Sequence, residues 1–446
     1  MERIKAKSGD ASEGKEKMKQ LRAAIVGVGD RGLTMGDYSL LFPEELSVVA
    51  LADTNPVHLE MGRKRYRLGA DACFNNLRSM LDSKIPFDVV IDATMDQAHY
   101  ETAMMILDRG YNLILEKPIV NNREQLLDIQ RNAERCHAKV LICHVLRYAP
   151  FYRRIKEIID SGRIGTIQTM ELNEHVWIAH FLDSFVRGKW GSQANCGSSF
   201  LLQKSCHDMD LICWLNNRTS PKKVSSFGTR ALFVPENAPK DAPEFCYRCP
   251  HNGTCYYSAQ KVHLDFDSLP FQTWVRIGKP YPEITKEEKE EFLKHDDYGR
   301  CAYKIGDIND RQSVQVEFAN GSIATFLMVG GTMKADRYLH VVCSGGEIEG
   351  HFGDNAFCLR TLDRTPGRFQ MVEEKIDLSK EVEAFSDGKA FGGHGGGDIG
   401  LMREAMRYFR GEKTSASLSS LQDSVNSHLI VFAAERSVSS GKAEEL

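Results

Sequence analysis

The run LRAAIVGVGDRG, residues 21–32, constrains the fold of this chain more than any other stretch. A short apolar, β-branched segment that breaks into glycines reads as a buried parallel strand feeding a helix. Gly27, Gly29 and Gly32 match G-x-G-x-x-G. In that pattern the first glycine permits the tight turn, the second lets the backbone approach a pyrophosphate, and the third lets helix and strand pack closely. The helix start then offers unpaired N–H groups and a positive dipole end to phosphates.

A second apolar run, LSVVALAD, ends in Asp53, about 20 residues past the last glycine, where a carboxylate accepts hydrogen bonds from ribose hydroxyls. The same charge repels a 2′-phosphate, which favours NAD over NADP. FDVVIDAT and YNLILE supply further strands, separated by helical stretches such as HYETAMMILDRG. This alternation predicts the α/β class: an N-terminal Rossmann doubly wound parallel sheet over residues 21–143. At 446 residues the chain is too long for one ordinary domain. Residues 144–438 are assigned to a substrate-binding domain carrying a Cys-containing insertion at about 240–302. Residues 1–20, charged and poor in apolar side chains, read as a disordered leader.

Composition narrows the class of function. A net charge of −4 and an ordinary charged fraction of 26% favour neither nucleic acid nor an anionic membrane as partner. No apolar run approaches the roughly 20 residues needed to span a bilayer, and the leader has no apolar signal core, so a cytoplasmic location is expected. Twelve cysteines without an export signal point to free thiols or metal ligands rather than disulfides.

Glu116, Lys117 and Pro118 end the YNLILE strand, where open α/β sheets bind ligands. With GVGDRG, ALAD, LEKP, RYAPFYRRIKEIIDSGRIGTI and HDMDLICWL in order over residues 21–215, the chain resembles the glucose-fructose oxidoreductase / inositol dehydrogenase / rhizopine catabolism (Gfo/Idh/MocA) family. The resemblance implies a C-terminal α+β domain with a large open, mostly antiparallel sheet, and a homo-oligomer, dimer or tetramer. It assigns Asp30, Arg31, Thr94, His99, Glu116 and Lys117 to the cofactor together with Gly27, Gly29, Gly32 and Asp53. It also makes Lys117 and His207 the catalytic pair.

Oxidising a secondary alcohol needs a base for the hydroxyl proton while hydride moves to nicotinamide, so a titratable group must reach both substrate and cofactor. Lys117 meets that requirement at the strand end, and His207 opens a stretch whose Leu211, Ile212, Trp214 and Leu215 anchor a helix in the core. Many polyol dehydrogenases of the family carry aspartate four residues before this histidine; here Gln203 stands there, and glutamine is no base. Lys204 is open to three readings: a replacement polar group, a cation for an acidic sugar, or an outward-facing lysine. HVWIAHFLDSFVRGKW mixes aromatics with His175, His180, Arg187 and Trp190 and reads as a carbohydrate-facing loop. Its alternative is a packing strand. Asp208 joins His180, Arg187, Trp190, Gln203 and Lys204 as an expected substrate contact.

Cys246, Cys249 and Cys255 form C-x2-C-x5-C, with Cys301 following. Four thiolates suit a closed structural zinc site, with reduced buried thiols as the rival and His251 or His263 as substitute ligands. Beyond residue 300, β-rich runs with turns at Asn320-Gly321 and Gly345-Gly346 predict hairpins, and residues 266–300 a connecting excursion. GGHGGGDIGLMREAMRYF joins a glycine-rich loop to an amphipathic helix, leaving His394 and Asp398 to contact a ligand, or Asp398 to cap the helix.

These readings predict an NAD-dependent oxidoreductase acting on a secondary hydroxyl of a sugar or cyclitol. Two rivals stand beside it. An NAD-dependent redox glycosidase would oxidise C3 transiently, eliminate across C2, add water and return the hydride; a non-catalytic NAD-binding sensor would keep the fold without the chemistry.

Overall fold

The computed structural model describes residues 19–266, 283–385 and 393–446, so most of the leader and much of the 266–300 excursion lie outside the described residues. Six strands, β1 (Leu21–Val26), β2 (Leu46–Ala52), β3 (Cys73–Phe74), β4 (Val89–Asp92), β5 (Asn112–Leu115) and β6 (Val140–Ile142), form one sheet in the order β3-β2-β1-β4-β5-β6. Every pairing in it is parallel. Parallel strands are buried on both faces, and these sequences are accordingly continuous apolar runs.

Ala24, Val26, Val90 and Leu113 share a core with α2 (His99–Asp108) and α3 (Arg123–Arg135) on one face. Ala23, Ile25, Ile91 and Ile114 pack on the other, beside α1 (Asp30–Gly36). That second face is completed from far along the chain. Ile399, Leu401, Met402, Ala405 and Met406 of a helix spanning Gly397–Arg410 belong to the same core, so the C-terminal segment returns to the first sheet instead of staying in the second domain.

The second sheet has nine strands: β7 (Ile167–Trp177), β8 (Pro221–Thr229), β9 (Arg311–Phe318), β10 (Ile323–Thr332), β11 (Asp336–Cys343), β12 (Gly346–His351), β13 (Ala356–Leu362), β14 (Met371–Asp377) and β15 (Glu444–Glu445). Their order is β14-β13-β12-β11-β7-β10-β9-β8-β15, and all pairs are antiparallel except β7 with β10. The expected large, mostly antiparallel sheet is present, with both hairpin turns where Asn320-Gly321 and Gly345-Gly346 place them.

Alternation decides which side chains face inward. On β7, Met170, Leu172, Glu174 and Val176 are buried, and on β9 and β10 so are Val314, Val316, Phe326 and Met328. Helices α4 (Phe200–Leu215), α5 (the Gly397–Arg410 helix) and α6 (Leu421–Ser440) follow in sequence; α4 and α6 pack together, α4 also against β7 and β10 and α6 against β8. Every residue of α4 except Lys204 is buried. A helix apolar on most sides belongs in a core, so its polar members Gln203, His207, Asp208 and Asp210 call for a chemical explanation. No described helix is long and apolar enough to cross a membrane.

Candidate active site

Each glycine of the first loop has its own steric reason. Gly27 has φ +81°, and a Cβ there would lie 2.4 Å from the Ala93 carbonyl oxygen. Gly32 lies against the Gly27 carbonyl, its virtual Cβ 2.1 Å from that oxygen, whereas a Cβ on Gly29 would meet nothing within 4 Å. The first and third glycines therefore serve the fold, and the second leaves the open approach a dinucleotide requires. Asp30 is exposed in the first turn of α1.

Asp53 closes this loop. Its carboxylate accepts from the backbone N–H of Val28 at 2.7 Å and of Asn55 at 2.7 Å, with His58 Nδ1 at 3.6 Å. Burial alone would raise the Asp53 pKa, but hydrogen bonds from His58, Asn55 and Val28 outweigh it and hold the group below its ordinary value. The carboxylate stays charged at the end of β2, where a ribose would lie.

Thr94 and His99 frame the far wall. Thr94 donates through its hydroxyl to Asp92 Oδ1 at 2.8 Å; His99, buried, places Nδ1 2.7 Å from the Pro118 carbonyl and Nε2 3.2 Å from that of Thr94. His99 thus fastens the Lys117-Pro118 turn to the β4 loop. Arg31, expected at the cofactor, commits its guanidinium to protein: Nε lies 2.7 Å from Glu116 Oε1 and Nη2 2.9 Å from Asp398 Oδ1. Glu116 in turn accepts from the Lys117 N–H at 3.0 Å. Arg31 therefore ties α1, the β5 end and α5 together, because two buried carboxylates capture its fork.

Lys117 crosses from this sheet to the second domain. Its Nζ donates to the Gln203 carbonyl at 2.8 Å. Gln203 and His207 are four apart on α4 and therefore share a face, so the lysine is held one helical turn from the histidine. Burial, and then the neighbouring basic side chains of Lys117, His144, His394 and Arg337, push His207 well below its ordinary pKa, so it is a neutral imidazole and a proton acceptor. Its Nδ1, the Gln203 Oε1 and the Asp208 Oδ2 are buried without a hydrogen-bond partner among the described residues. Buried polar atoms are nearly always partnered in folded proteins, and three exceptions on neighbouring turns suit a ligand rich in hydroxyls.

The wall behind them is ionic. Arg337 sits directly opposite Glu174 in the β11–β7 register, its Nε 2.5 Å from Glu174 Oε2 and 3.0 Å from Asp208 Oδ1. Lys204 turns inward, 3.5 Å from Glu174 and 3.5 Å from His180 Nε2, which removes the outward-facing reading. Burial depresses its pKa, partly countered by Glu174. Asp208 is pushed up to about 7 by burial, against the pull of Arg337, with Glu174 adding to the rise. Arg147, on the loop after β6, fixes α4 with a bidentate pair to Asp210 at 2.6 Å and 2.6 Å. Neither Arg147 nor Arg337 is legible as a site residue from spacing, because each meets its partner only across long loops.

The aromatic stretch after β7 is corrected in part. Phe181 and Phe185 pack with Phe200 and Phe233 in the core, so most of its aromatic faces are spent on packing. His180 remains at the pocket, and Trp190 reaches Asp96 of the first domain at 3.4 Å. His175 lies on the other face of β7 from Glu174. Arg187 lies away from these groups: buried, it donates to the carbonyls of Arg300 at 2.8 Å and Tyr257 at 2.5 Å and so is spent on anchoring the insertion.

Cys246, Cys249, Cys255 and Cys301 do meet around one small cavity with Tyr257 and Tyr303. Among the described residues, however, no group of three or more His, Cys, Asp or Glu is arranged to hold a metal, and the expected zinc site is not found. The proposed substitutes are engaged elsewhere, His251 with the Lys240 carbonyl at 2.8 Å and His263 with Asp183 at 3.3 Å. All twelve cysteines are free.

Comparison with known proteins agrees with this geometry. Residues 21–144 match the model described as oxidoreductase family, NAD-binding Rossmann fold, and residues 152–256 match the GFO/IDH/MocA C-terminal domain. The chain is 25% identical over 333 residues to YteT of Bacillus subtilis (strain 168), named as an oxidoreductase, covering 71% of each chain. An NAD-binding oxidoreductase structure from Klebsiella pneumoniae superposes with a TM-score of 0.69 at 15% identity over 96% of this chain and 99% of that one. A levoglucosan dehydrogenase, solved with NADH and levoglucosan, gives 0.66 at 16% identity over 96% and 99%. At such identities the structures establish the fold alone. Two family models that together match more than half of the chain make it a member of the Gfo/Idh/MocA family of NAD-binding oxidoreductases.

Proposed function

We propose that the protein oxidises a secondary hydroxyl of a sugar or cyclitol with NAD. The observation carrying this reading is the Lys117 Nζ to Gln203 carbonyl bond, 2.8 Å, which sets a lysine from the cofactor sheet beside His207. Gly27, Gly29, Gly32 and the Asp53 carboxylate would hold NAD, which supplies a hydride acceptor when bound. Asp53 disfavours a 2′-phosphate at that position. Lys117 and His207 handle the hydroxyl proton; Gln203, Asp208, Lys204 and His180 orient the ring through its other hydroxyls. Support comes from similar proteins named for sugar and polyol oxidation, among them the levoglucosan dehydrogenase and an inositol dehydrogenase of Lactiplantibacillus plantarum.

A redox glycosidase is the second reading, favoured by acid–base groups beyond those a dehydrogenase needs: Lys204 lies 3.5 Å from His180 Nε2 and 3.5 Å from Glu174, which shares Arg337 with the protonatable Asp208. Incubating the protein and NAD in D₂O with free sugars, cyclitols and aryl glycosides separates the two. Stoichiometric NADH without bond cleavage supports the dehydrogenase; aglycone release with deuterium at C2 and no net NADH supports the glycosidase. Unchanged turnover in Lys117→Ala and His207→Ala would sink both.

The exposed side of the nine-stranded sheet carries Phe227, Ile323 and Leu327. A second copy of the chain would bury them there, and light scattering showing only monomer would refute that assembly.

A further inference from the structure

We propose that His394, oriented by Asp398, is a proton shuttle between the buried His207 and solvent. The inference rests on the reading in which His207 receives the substrate proton. A proton delivered to His207 must leave before the next turnover, and His207 is only 5% exposed. Two histidine rings flank it. His144, at a centroid distance of 5.8 Å, is fully buried, and its neighbours His428 and Asp210 are buried too. His394, at 6.0 Å, has a side chain 36% exposed. The exit therefore runs through His394.

The geometry prepares that imidazole for the task. Nδ1 lies 3.1 Å from Asp398 Oδ2, so Nδ1 carries the hydrogen and Nε2 is the acceptor. Asp398 also accepts from the Gly393 N–H at 2.6 Å and from Arg31 at 2.9 Å. Burial alone would raise its pKa, but Arg31, His394 and Gly393 overcome that and keep it ionised, the state that stabilises an imidazolium beside it. His394 itself is held at φ 56°, a left-handed conformation costly for a residue with a Cβ and imposed here within a glycine-rich loop. The titratable groups facing it are Asp398 on its own segment, His207 on α4 and His180 after β7.

The transfer conserves charge. The His207 imidazolium gives its N–H proton, through one hydroxyl or water filling the gap between the rings, to His394 Nε2; His207 returns to neutral, and His394 releases the proton to water or buffer.

The experiment uses the full chain with NAD and the sugar panel above. His394→Ala should lower kcat roughly 10²-fold with KM and NAD affinity within about twofold of the parent. Added imidazole should restore kcat saturably, and an equal concentration of sodium chloride should not. Unchanged kcat, or a loss that imidazole fails to repair, overturns the shuttle. If the parent protein turns over no sugar, the functional reading fails separately, and diethyl pyrocarbonate labelling then decides this one. His394 should be modified rapidly, His144 and His428 not, and Asp398→Asn should slow the reaction at His394. An unreactive His394, or one indifferent to Asp398→Asn, refutes the dyad.

Discussion

Arg337 and Glu174 stand opposite each other on β11 and β7, and the same guanidinium nitrogen that reaches Glu174 at 2.5 Å reaches Asp208 on α4 at 3.0 Å. One cation thus joins the second sheet to the helix that carries His207. Its two partners are 3% and 1% exposed. Coulombic attraction in such a setting barely offsets desolvation while the group is whole, but removing one member leaves buried charge without compensation.

Arg337→Met should therefore destabilise the chain by about 3–5 kcal/mol, since methionine fills the space and supplies no charge. Urea unfolding of the two proteins at neutral pH measures this. A loss under about 1 kcal/mol would show that water already compensates Glu174 and Asp208.

Asp208 gives stability a pH dependence of defined sign. Its pKa rises on folding from 3.8 to about 7, so between those values the folded chain keeps a proton that the unfolded chain has lost. Stability from this group is fully present below 3.8 and is lost as pH rises through about 7. At about 1.4 kcal/mol per unit the span is on the order of 4 kcal/mol. Asp208→Asn should flatten the unfolding free energy between pH 5 and 8 relative to the parent; parallel curves would contradict the assignment.

Gly27→Ala and Gly29→Ala should part company. The first forces a side chain into a left-handed backbone and against the Ala93 carbonyl, so it should lower the melting temperature. The second meets nothing in the protein, so melting should be unchanged while NAD affinity falls at least tenfold by fluorescence titration. Equal NAD affinity in Gly29→Ala would remove the second glycine from the cofactor seat.

Much of the first domain was legible because its determinants are local. A buried parallel strand must be apolar throughout, a strand-to-helix turn over a dinucleotide must be glycine, and both are written in consecutive residues from Leu21 to Gly32. Hairpins at Asn320-Gly321 and Gly345-Gly346 were legible for the same reason. Lys117 and His207 were named from their motifs, and the fold brings the Lys117 amine to the helical turn that carries His207. Tertiary structure alone decided the rest. Arg31 is named for the cofactor by its motif, whereas its grip on Glu116 and Asp398, 85 and 367 positions away, appears only in the fold. Arg187 looks like a pocket residue until two carbonyls of the insertion claim its fork. Arginine and cysteine carry several chemistries each, and which one is expressed depends on partners that long loops deliver. The sequence by itself thus determined the architecture, through periodicity and backbone sterics, and its motifs pointed to Lys117 and His207. Burial and long-range charge pairing, which no spacing encodes, selected the ionic cluster of Arg337, Glu174 and Asp208 and the Asp398 partner of His394.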